Sequence, residues 1–275
     1  MLVFPNCKIN LGLCVVERRP DGMHNLETVF YAVPLRDTLE VKTLEHSNAP
    51  FELLLAGNKV EGRAEDNLVV RIYLALREEF DLPPVSIYLD KHIPMGAGLG
   101  GGSSDAAQMM RLLNEKFQIG LSPEEMEYRI APFGADCAFF IREKACFATG
   151  IGNEMTPINL SLKGWQLALV KPEESVATKE AYAHVVPQRP AIDLREALQL
   201  PVEQWRGKVV NDFETSVFRS HPRIAAIKET LYDMGASFAL MSGSGSTVFG
   251  LFRNAQPSLA EVFSDCFTFQ TLIRE

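Results

Sequence analysis

One stretch of the sequence decides the fold: Pro94-Met95-Gly96-Ala97-Gly98-Leu99-Gly100-Gly101-Gly102-Ser103-Ser104-Asp105. Five of the seven residues from Gly96 to Gly102 are glycine, which leaves backbone N–H groups uncovered and permits positive φ angles. An apolar stripe with helical spacing follows at Ala106, Met110 and Leu113, so a helix should begin directly after the loop. The N–H groups and the positive dipole end of such a helix favour anions. The stretch therefore predicts a phosphate-binding loop.

Other glycine-rich sites fit this loop less well. Gly96, Gly98 and Gly101 match the dinucleotide pattern G-x-G-x-x-G, but that fold needs a strand ending in an acidic residue about twenty positions later. The chain is still helical in pattern there, at residues 115–117. A Walker loop needs a lysine where Gly102 stands, and the motifs of protein kinases are absent from the sequence. A plain turn would leave the entropic cost of five glycines unexplained.

Strand patterns lie on both sides of the loop. Residues 7–16 alternate between apolar and polar positions, which predicts a half-buried strand with Lys8 and Asn10 on one face. The further predicted strands are 26–33, 38–44, 85–89, 146–149, 166–170, 238–241 and 248–252. Residues 150–164 are rich in turn formers, and this turn-rich stretch predicts a domain boundary.

Helical patterns alternate with these strands. Asp66 is a candidate cap for a helix whose apolar stripe is Val69, Ile72, Tyr73 and Leu76. A further helix should begin at Pro123. Another should contain Ile224, Ile227, Leu231 and Met234 and end at Gly235. This alternation predicts an α/β (α+β) fold.

Composition limits the classes of partner. The 275 residues are 47% hydrophobic and 23% charged, with a net charge of −8, which is the profile of a globular protein that does not favour nucleic acid or an anionic membrane. No signal peptide or membrane span is apparent in the sequence. The five cysteines have no C-x-x-C spacing and predict reduced thiols in a cytoplasmic protein.

Three segments together resemble the GHMP kinases, the small-molecule kinases of galactose, homoserine, mevalonate and their relatives. Pro94–Ser104 is similar to the family's phosphate-loop pattern, P-x-x-x-G-L-G-S/G-S-S. Residues 5–11 (Pro-Asn-Cys-Lys-Ile-Asn-Leu) resemble its first motif, and residues 242–249 (Ser-Gly-Ser-Gly-Ser-Thr-Val-Phe) resemble its third. The three motifs occur in family order across almost the whole chain, which makes the resemblance specific.

The resemblance implies a two-domain fold. An N-terminal ATP-binding domain, similar to ribosomal protein S5 domain 2, is expected at residues 1–155, and a ferredoxin-like C-terminal domain at 156–275. The active site is expected in the cleft between them. The resemblance also implies ATP and Mg²⁺ as cofactors, a small-molecule substrate, no nucleic-acid or membrane partner, and a monomer or weak homodimer.

The resemblance assigns the chemistry to Asp136 and Lys8. Asp136 lies in the otherwise apolar segment 133–140, where a carboxylate is costly without a partner, and would take the proton of the substrate hydroxyl. Lys8 would orient it and offset charge on the transferred phosphoryl group. From the residues alone, Asp136 could be a turn aspartate and Lys8 a solvated lysine.

Further positions imply an acceptor that carries a cytosine base. Arg19-x-Asp21-Gly22-x-His24-x-Leu26 and the Ser175 to Tyr182 segment resemble one branch of the family, in which an aromatic ring stacks on cytosine. The expected substrate-binding residues are Asn10, His24, Tyr182, Ser242 and Gly243. Without the resemblance, His24 is a turn residue and Tyr182 an ordinary helix residue. A kinase of another acceptor and a non-catalytic nucleotide sensor remain open.

Overall fold

Strands and helices alternate along the chain in a computed structural model that describes residues 1–256 and 258–274. The strands are, in chain order, β1 (Leu2–Val3), β2 (Asn6–Arg18), β3 (His24–Arg36), β4 (Thr38–Thr43), β5 (Phe51–Gly57), β6 (Val85–Lys91), β7 (Cys146–Thr149), β8 (Glu154–Pro157), β9 (Gln166–Pro172), β10 (Phe238–Met241), β11 (Val248–Phe252) and β12 (Cys266–Leu272). The α-helices are α1 (Leu68–Phe80), α2 (Gly101–Lys116), α3 (Pro123–Ile130), α4 (Phe139–Arg142), α5 (Thr178–Tyr182), α6 (Leu194–Gln199), α7 (Phe213–Ser220), α8 (Pro222–Asp233) and α9 (Leu259–Val262). The predicted α/β class is confirmed.

The described chain forms two compact units, each assembled from separate segments. The first unit contains Met1–Cys7, Val33–Met95 and Gly100–Glu143. The second contains Lys8–Ala32, Gly96–Leu99 and Lys144–Glu275. Strand β2 therefore begins in the first unit and continues in the second, and the glycine loop changes unit between residues 99 and 100. The predicted domain boundary at residue 155 stays a prediction.

The first unit is built on a mixed sheet in the order β1-β4-β6-β5. Strand β4 is antiparallel to both β1 and β6, whereas β5 runs parallel to β6. Helices α1 and α2 pack against each other in this unit. Their buried residues include the predicted stripe of α1, which is Val69, Ile72, Tyr73 and Leu76.

Helix caps fix the ends of the helices in the first unit. Asn67, not Asp66, caps α1, since its side chain accepts a hydrogen bond from the N–H of Val69 at 3.1 Å. The prediction of Asp66 as the cap is wrong because the chain forms a short 3-10 helix, Ala64–Asp66, before α1 begins. Helix α3 begins at Pro123 as predicted, with Ser122 as its cap.

The second unit contains an antiparallel sheet in the order β10-β11-β9-β12. Helix α8 packs against this sheet through Ile224, Ile227 and Leu231, which are fully buried. The helix stops where predicted: Gly235 has a φ of +93°, and the N–H of Ala236 donates to the carbonyl of Leu231 at 3.0 Å. The turn at 242–247 connects β10 to β11.

A second sheet, in the order β2-β3-β7-β8, contains the strand that carries Lys8 and Asn10. Both β2 and β3 extend beyond the predicted ranges by two or more residues. Strand β8 lies inside the predicted turn-rich stretch, residues 150–164, where no strand was predicted. The sequence does not reveal this strand because β8 is mostly exposed and shows no apolar alternation.

Candidate active site

The second half of the glycine loop forms the start of helix α2 in the first unit. Gly100 has a φ of +69° and occupies the N-cap position, where it has no side chain to cap the helix. A Cβ atom at Gly100 would lie 2.9 Å from Cζ of Phe140 and 3.2 Å from Oδ2 of Asp136. The conformation and the crowding both require glycine here. Uncapped N–H groups at this end of the helix suit an anion.

Asp136 lies beside this helix start. The hydroxyl of Ser103 donates a hydrogen bond to Oδ1 of Asp136 at 2.7 Å, so the side chain is oriented by the first turn of α2. Asp136 is partly buried in the turn before α4. The next residue is not a reactive thiol, because burial, together with the charge of Asp136, raises the pKa of Cys137 to about 12. Asp136, the predicted base, is therefore hydrogen-bonded to Ser103 of the predicted phosphate loop.

The first half of the loop belongs to the second unit, where it surrounds the Lys8 side chain. The Lys8 ammonium donates to the carbonyl of Gly98 at 2.9 Å and to Oδ1 of Asn10 at 2.6 Å. The backbone N–H of Lys8 donates to the carbonyl of Leu99 at 2.9 Å. Lys8 is buried, so the solvated-lysine interpretation is wrong.

The turn after β10 meets the same part of the loop. The hydroxyl of Ser242 donates to the carbonyl of Gly98 at 2.8 Å and accepts from the N–H of Asn10 at 3.2 Å. A Cβ atom at Gly98 would lie 2.0 Å from the carbonyl oxygen of Ser242, and one at Gly243 would lie 3.3 Å from that of Gly98. Two backbone segments therefore approach each other closely because both positions are glycine.

His24 and Tyr182 lie together elsewhere in the second unit. Their rings are stacked, with centroids 4.9 Å apart and planes inclined by 18°. The Tyr182 ring also meets Phe213 edge-on at 4.7 Å. The structure thus brings together the two residues that the resemblance connects with a base.

The predicted site residues form three groups in the structure. The first unit contains Gly100–Ser104 with Asp136, and also Pro94 and Met95. The second unit contains two groups: Lys8, Asn10, Gly96–Leu99, Ser242 and Gly243 form one, and His24 with Tyr182 form the other. Pairing of Lys8 with Asp136 stays a prediction.

The residues of the loop fit a nucleotide phosphate. Within the described chain, the hydroxyl of Ser104 is buried in the first turns of α2 and has no hydrogen-bond partner. A buried hydroxyl without a partner is costly and marks a place for a ligand atom or water. Across residues 1–256 and 258–274, no group of three His, Cys, Asp or Glu side chains is placed to hold a metal ion.

A buried ion cluster was missed in the sequence. Lys91, the last residue of β6, donates from its ammonium to Oδ2 of Asp105 at 2.5 Å and to Oδ2 of Asp37. Oδ1 of Asp37 accepts from the N–H groups of His92 and Ile93 at 2.5 and 2.7 Å. Lys91 and Asp105 lie on either side of the glycine loop in sequence, so this cluster joins both ends of the loop within the first unit.

The pKa values in this cluster reflect burial and mutual charge. Burial would lower the pKa of Lys91, but the charges of Asp105 and Asp37 outweigh it and raise that pKa. Burial raises the pKa of Asp105 to about 8; the charge of Asp37 acts in the same direction, and Lys91 opposes both. Asp105 lies inside α2 and is not its cap.

We expect Asp105 to make the protein less stable as pH rises. The folded state keeps the Asp105 proton up to a pH of about 8, whereas the unfolded chain loses it near 3.8. The folded state thus binds more protons between these values, and stability falls by at most about 1.4 kcal/mol per pH unit. The free energy of unfolding, measured with urea at several pH values between about 5 and 8, should fall less steeply with pH in Asp105→Asn than in the unchanged protein. Equal slopes would contradict a protonated Asp105.

Known proteins resemble this chain over its full length. The family models "GHMP kinases N terminal domain" and "GHMP kinases C terminal" match residues 67–144 and 191–267. A Bacteroides fragilis protein named 4-diphosphocytidyl-2-C-methyl-D-erythritol kinase is 53% identical over 274 residues, covering 100% of both chains. A Bacteroides thetaiotaomicron protein of the same name is 55% identical over 253 residues, covering 92% of both.

Solved structures are also similar to this chain. The crystal structure of a 4-(cytidine 5'-diphospho)-2C-methyl-D-erythritol kinase matches with a TM-score of 0.81 and 30% identity, covering 98% of each chain. The mevalonate kinase of Methanococcus jannaschii matches with a TM-score of 0.70 at 16% identity, covering 100% of this chain and 98% of the other. The second match bears on the fold alone.

Proposed function

This chain belongs to the GHMP kinase family, and we propose that it phosphorylates the 2-hydroxyl of 4-diphosphocytidyl-2-C-methyl-D-erythritol. The chain is an ATP-dependent small-molecule kinase. Relatives of 53% and 55% identity that bear the name of this kinase support the choice of acceptor. The reaction would serve the non-mevalonate route to isoprenoid precursors.

The contact between Ser103 and Asp136 carries the proposal for the chemistry. Phosphoryl transfer depends on positioning and on charge compensation, and the attacking hydroxyl must lose a proton. Asp136 is oriented by the first turn of the helix whose N-terminus suits phosphates. In the proposal, Asp136 takes the proton of the acceptor hydroxyl.

Lys8 would supply positive charge to the same transfer. Its ammonium is held by the carbonyl of Gly98 and by Asn10, both next to or within the phosphate loop. Gly98, which accepts from Lys8, and Ser103, which donates to Asp136, belong to the same loop and are close in sequence. Residues 94–104 would hold the ATP phosphates. Bound Mg²⁺ would neutralise phosphate charge, and it would be held mainly by the phosphate oxygens.

The acceptor would be bound by residues of the second unit. The proposed set is Asn10, His24, Tyr182, Ser242 and Gly243. His24 and Tyr182 place two aromatic rings together, and a flat base that separated them or stacked on the outer face of the pair would gain affinity. We further propose a cytoplasmic protein that is a monomer or a weak homodimer. In the described chain, no helix has the length and apolar character needed to cross a bilayer.

Loss of the Tyr182 ring should weaken binding of the acceptor and leave binding of ATP unchanged. Stacking of a base on an aromatic side chain contributes about 1–3 kcal/mol, so Tyr182→Leu should raise KM for the cytidyl acceptor by about 5- to 150-fold. KM for ATP should stay within about twofold. Tyr182→Phe is the matched control, because it keeps the ring and should keep KM. An unchanged KM for the acceptor in Tyr182→Leu would remove the stacking role.

The acceptor is tested by measuring ADP release from ATP and magnesium with purified protein. The panel contains 4-diphosphocytidyl-2-C-methyl-D-erythritol, mevalonate and homoserine. Turnover of the cytidyl compound alone is the expected result. Turnover of mevalonate or homoserine instead would agree with a small-molecule kinase and would contradict the proposed acceptor. Binding of ATP with no turnover of any compound would point to a nucleotide sensor.

A further inference from the structure

A buried amide in the second unit holds the turn after β10. The side chain of Asn211 is 3% exposed, and its Nδ2 donates to the carbonyls of Met241 and Gly243, each at 2.8 Å. Its Oδ1 accepts from the N–H of Phe213 at 3.0 Å. The Asn211 side chain therefore makes hydrogen bonds through both of its N–H groups and its oxygen, and both N–H groups bind the turn.

The backbone around Asn211 is joined to strand β2. The N–H of Leu13 donates to the carbonyl of Val210 at 2.8 Å, and the N–H of Asp212 donates to the carbonyl of Leu13 at 2.9 Å. Oδ2 of Asp212 accepts from the N–H of Val15 at 2.7 Å. Asn211 is thus fixed against the strand that carries Lys8 and Asn10.

Glu214 binds the backbone N–H of Met241, whose carbonyl is bound by Asn211. Oε1 of Glu214 accepts from the N–H of Met241 at 2.9 Å, and Oε2 accepts from the ammonium of Lys228 at 2.6 Å. Both backbone polar groups of Met241 are therefore bound by residues 211–214. The end of β10 has no freedom to shift along β2 without breaking these bonds.

The turn after β10 binds the same carbonyl oxygen, that of Gly98, to which the Lys8 ammonium donates. The carbonyl of Gly98 accepts from the hydroxyl of Ser242 and from the ammonium of Lys8. Gly243 lies directly against Gly98, and its φ of +55° is a conformation that needs support from its surroundings. Asn211 binds the residues on both sides of Ser242, and so it fixes the hydroxyl that bonds Gly98.

We propose that Asn211 is a positioning residue for phosphoryl transfer, acting through the turn at 242–245 on the Gly98 carbonyl and the Lys8 ammonium. The inference rests on the proposed function for its effect on turnover. The side-chain amide supplies two N–H donors for the two carbonyls without burying a charge, which explains an amide at this position. An aspartate would face both carbonyls with acceptors, and an apolar side chain would leave them unsatisfied.

The test compares Asn211→Ala with a variant of matched stability. Asn211→Ala should lower kcat by about tenfold or more at an assay temperature well below its Tm. Ile227→Ala, which removes fully buried apolar volume in α8, is the control: it should lower Tm as much or more and keep kcat. Equal kcat values for Asn211→Ala and the unchanged protein would overturn the proposal, as would an equal loss in both variants.

Hydrogen exchange gives a readout that needs no substrate. The N–H groups of Ser242 and Gly245 are bonded within the turn, to Thr247 and Ser242, and should exchange faster in Asn211→Ala than in Ile227→Ala. Residues 96–99 should show the same increase. Unchanged exchange in the turn would refute the positioning role even if no acceptor in the panel were turned over. If Asn211→Ala fails to fold, Asn211→Ser, which keeps one donor, should show a smaller change in the same direction.

Discussion

Asp136→Asn should bind ATP normally and lose nearly all turnover. The amide keeps the size of the carboxylate and can still accept the hydrogen bond that Ser103 donates at 2.7 Å. It cannot accept the proton of the attacking hydroxyl. General base catalysis contributes about 10²- to 10⁴-fold, so kcat should fall by that factor. Steady-state kinetics give kcat, and calorimetric titration gives the Kd for ATP, which should change by less than about threefold.

Two observations would separate this outcome from a general disturbance of the site. Ser103→Ala removes the hydroxyl that orients Asp136 and leaves the carboxylate in place, so it should lower kcat by less than about tenfold. The Tm of Asp136→Asn should equal that of the unchanged protein, because its neighbours keep their contacts. A kcat close to that of the unchanged protein would exclude Asp136 as the base, and a large rise in the Kd for ATP would make it a binding residue.

Lys91→Met should be the most destabilising change considered. The ammonium of Lys91 is the cation bonded to the buried carboxyl groups of Asp37 and Asp105. Removing one partner of a buried ion pair costs about 3–5 kcal/mol, because the remaining charge stays out of water. The free energy of unfolding, measured by urea titration, should fall by that amount.

A double variant tests whether buried charge causes this loss. In Lys91→Met with Asp37→Asn, the carboxylate left without its cation is removed together with the lysine, so part of the lost stability should return. The amide oxygen introduced at position 37 can still accept from the N–H groups of His92 and Ile93. A loss below about 1 kcal/mol in Lys91→Met, or strict additivity in the double variant, would contradict the assignment.

Local patterns predicted most elements of the fold. The stripe of α1, the start of α3 at Pro123 and the stop of α8 at Gly235 were all readable, because each depends on residues within one or two helical turns. Asp66 was mistaken for a cap because two polar residues in a row can each fill that position. Strand β8 was missed because its pairing with β7, and not its sequence, makes it a strand.

The candidate site was predictable where glycine or a motif marked it. The loop around Gly98 and Gly100 and the turn at Gly243 could be found because close backbone approach demands glycine. Lys91 and Asn211 gave no signal. Each depends on partners more than ten residues away in sequence, and a lysine or an asparagine in isolation resembles a surface residue. Whether Lys8 and Asp136 act together was a matter of family resemblance and remains a prediction.

The interleaved units have a consequence for synthesis on the ribosome. Residues 8–32 leave the exit tunnel early, yet their unit is complete only after residues 144–275 have followed. At about 5–20 residues per second, this wait is on the order of ten seconds or more. The segment is rich in apolar residues, among them Ile9, Leu11 and Val15, which are fully buried once the unit has formed. The nascent chain therefore carries an exposed apolar segment through most of translation, and this segment is where a holding chaperone would be expected to bind.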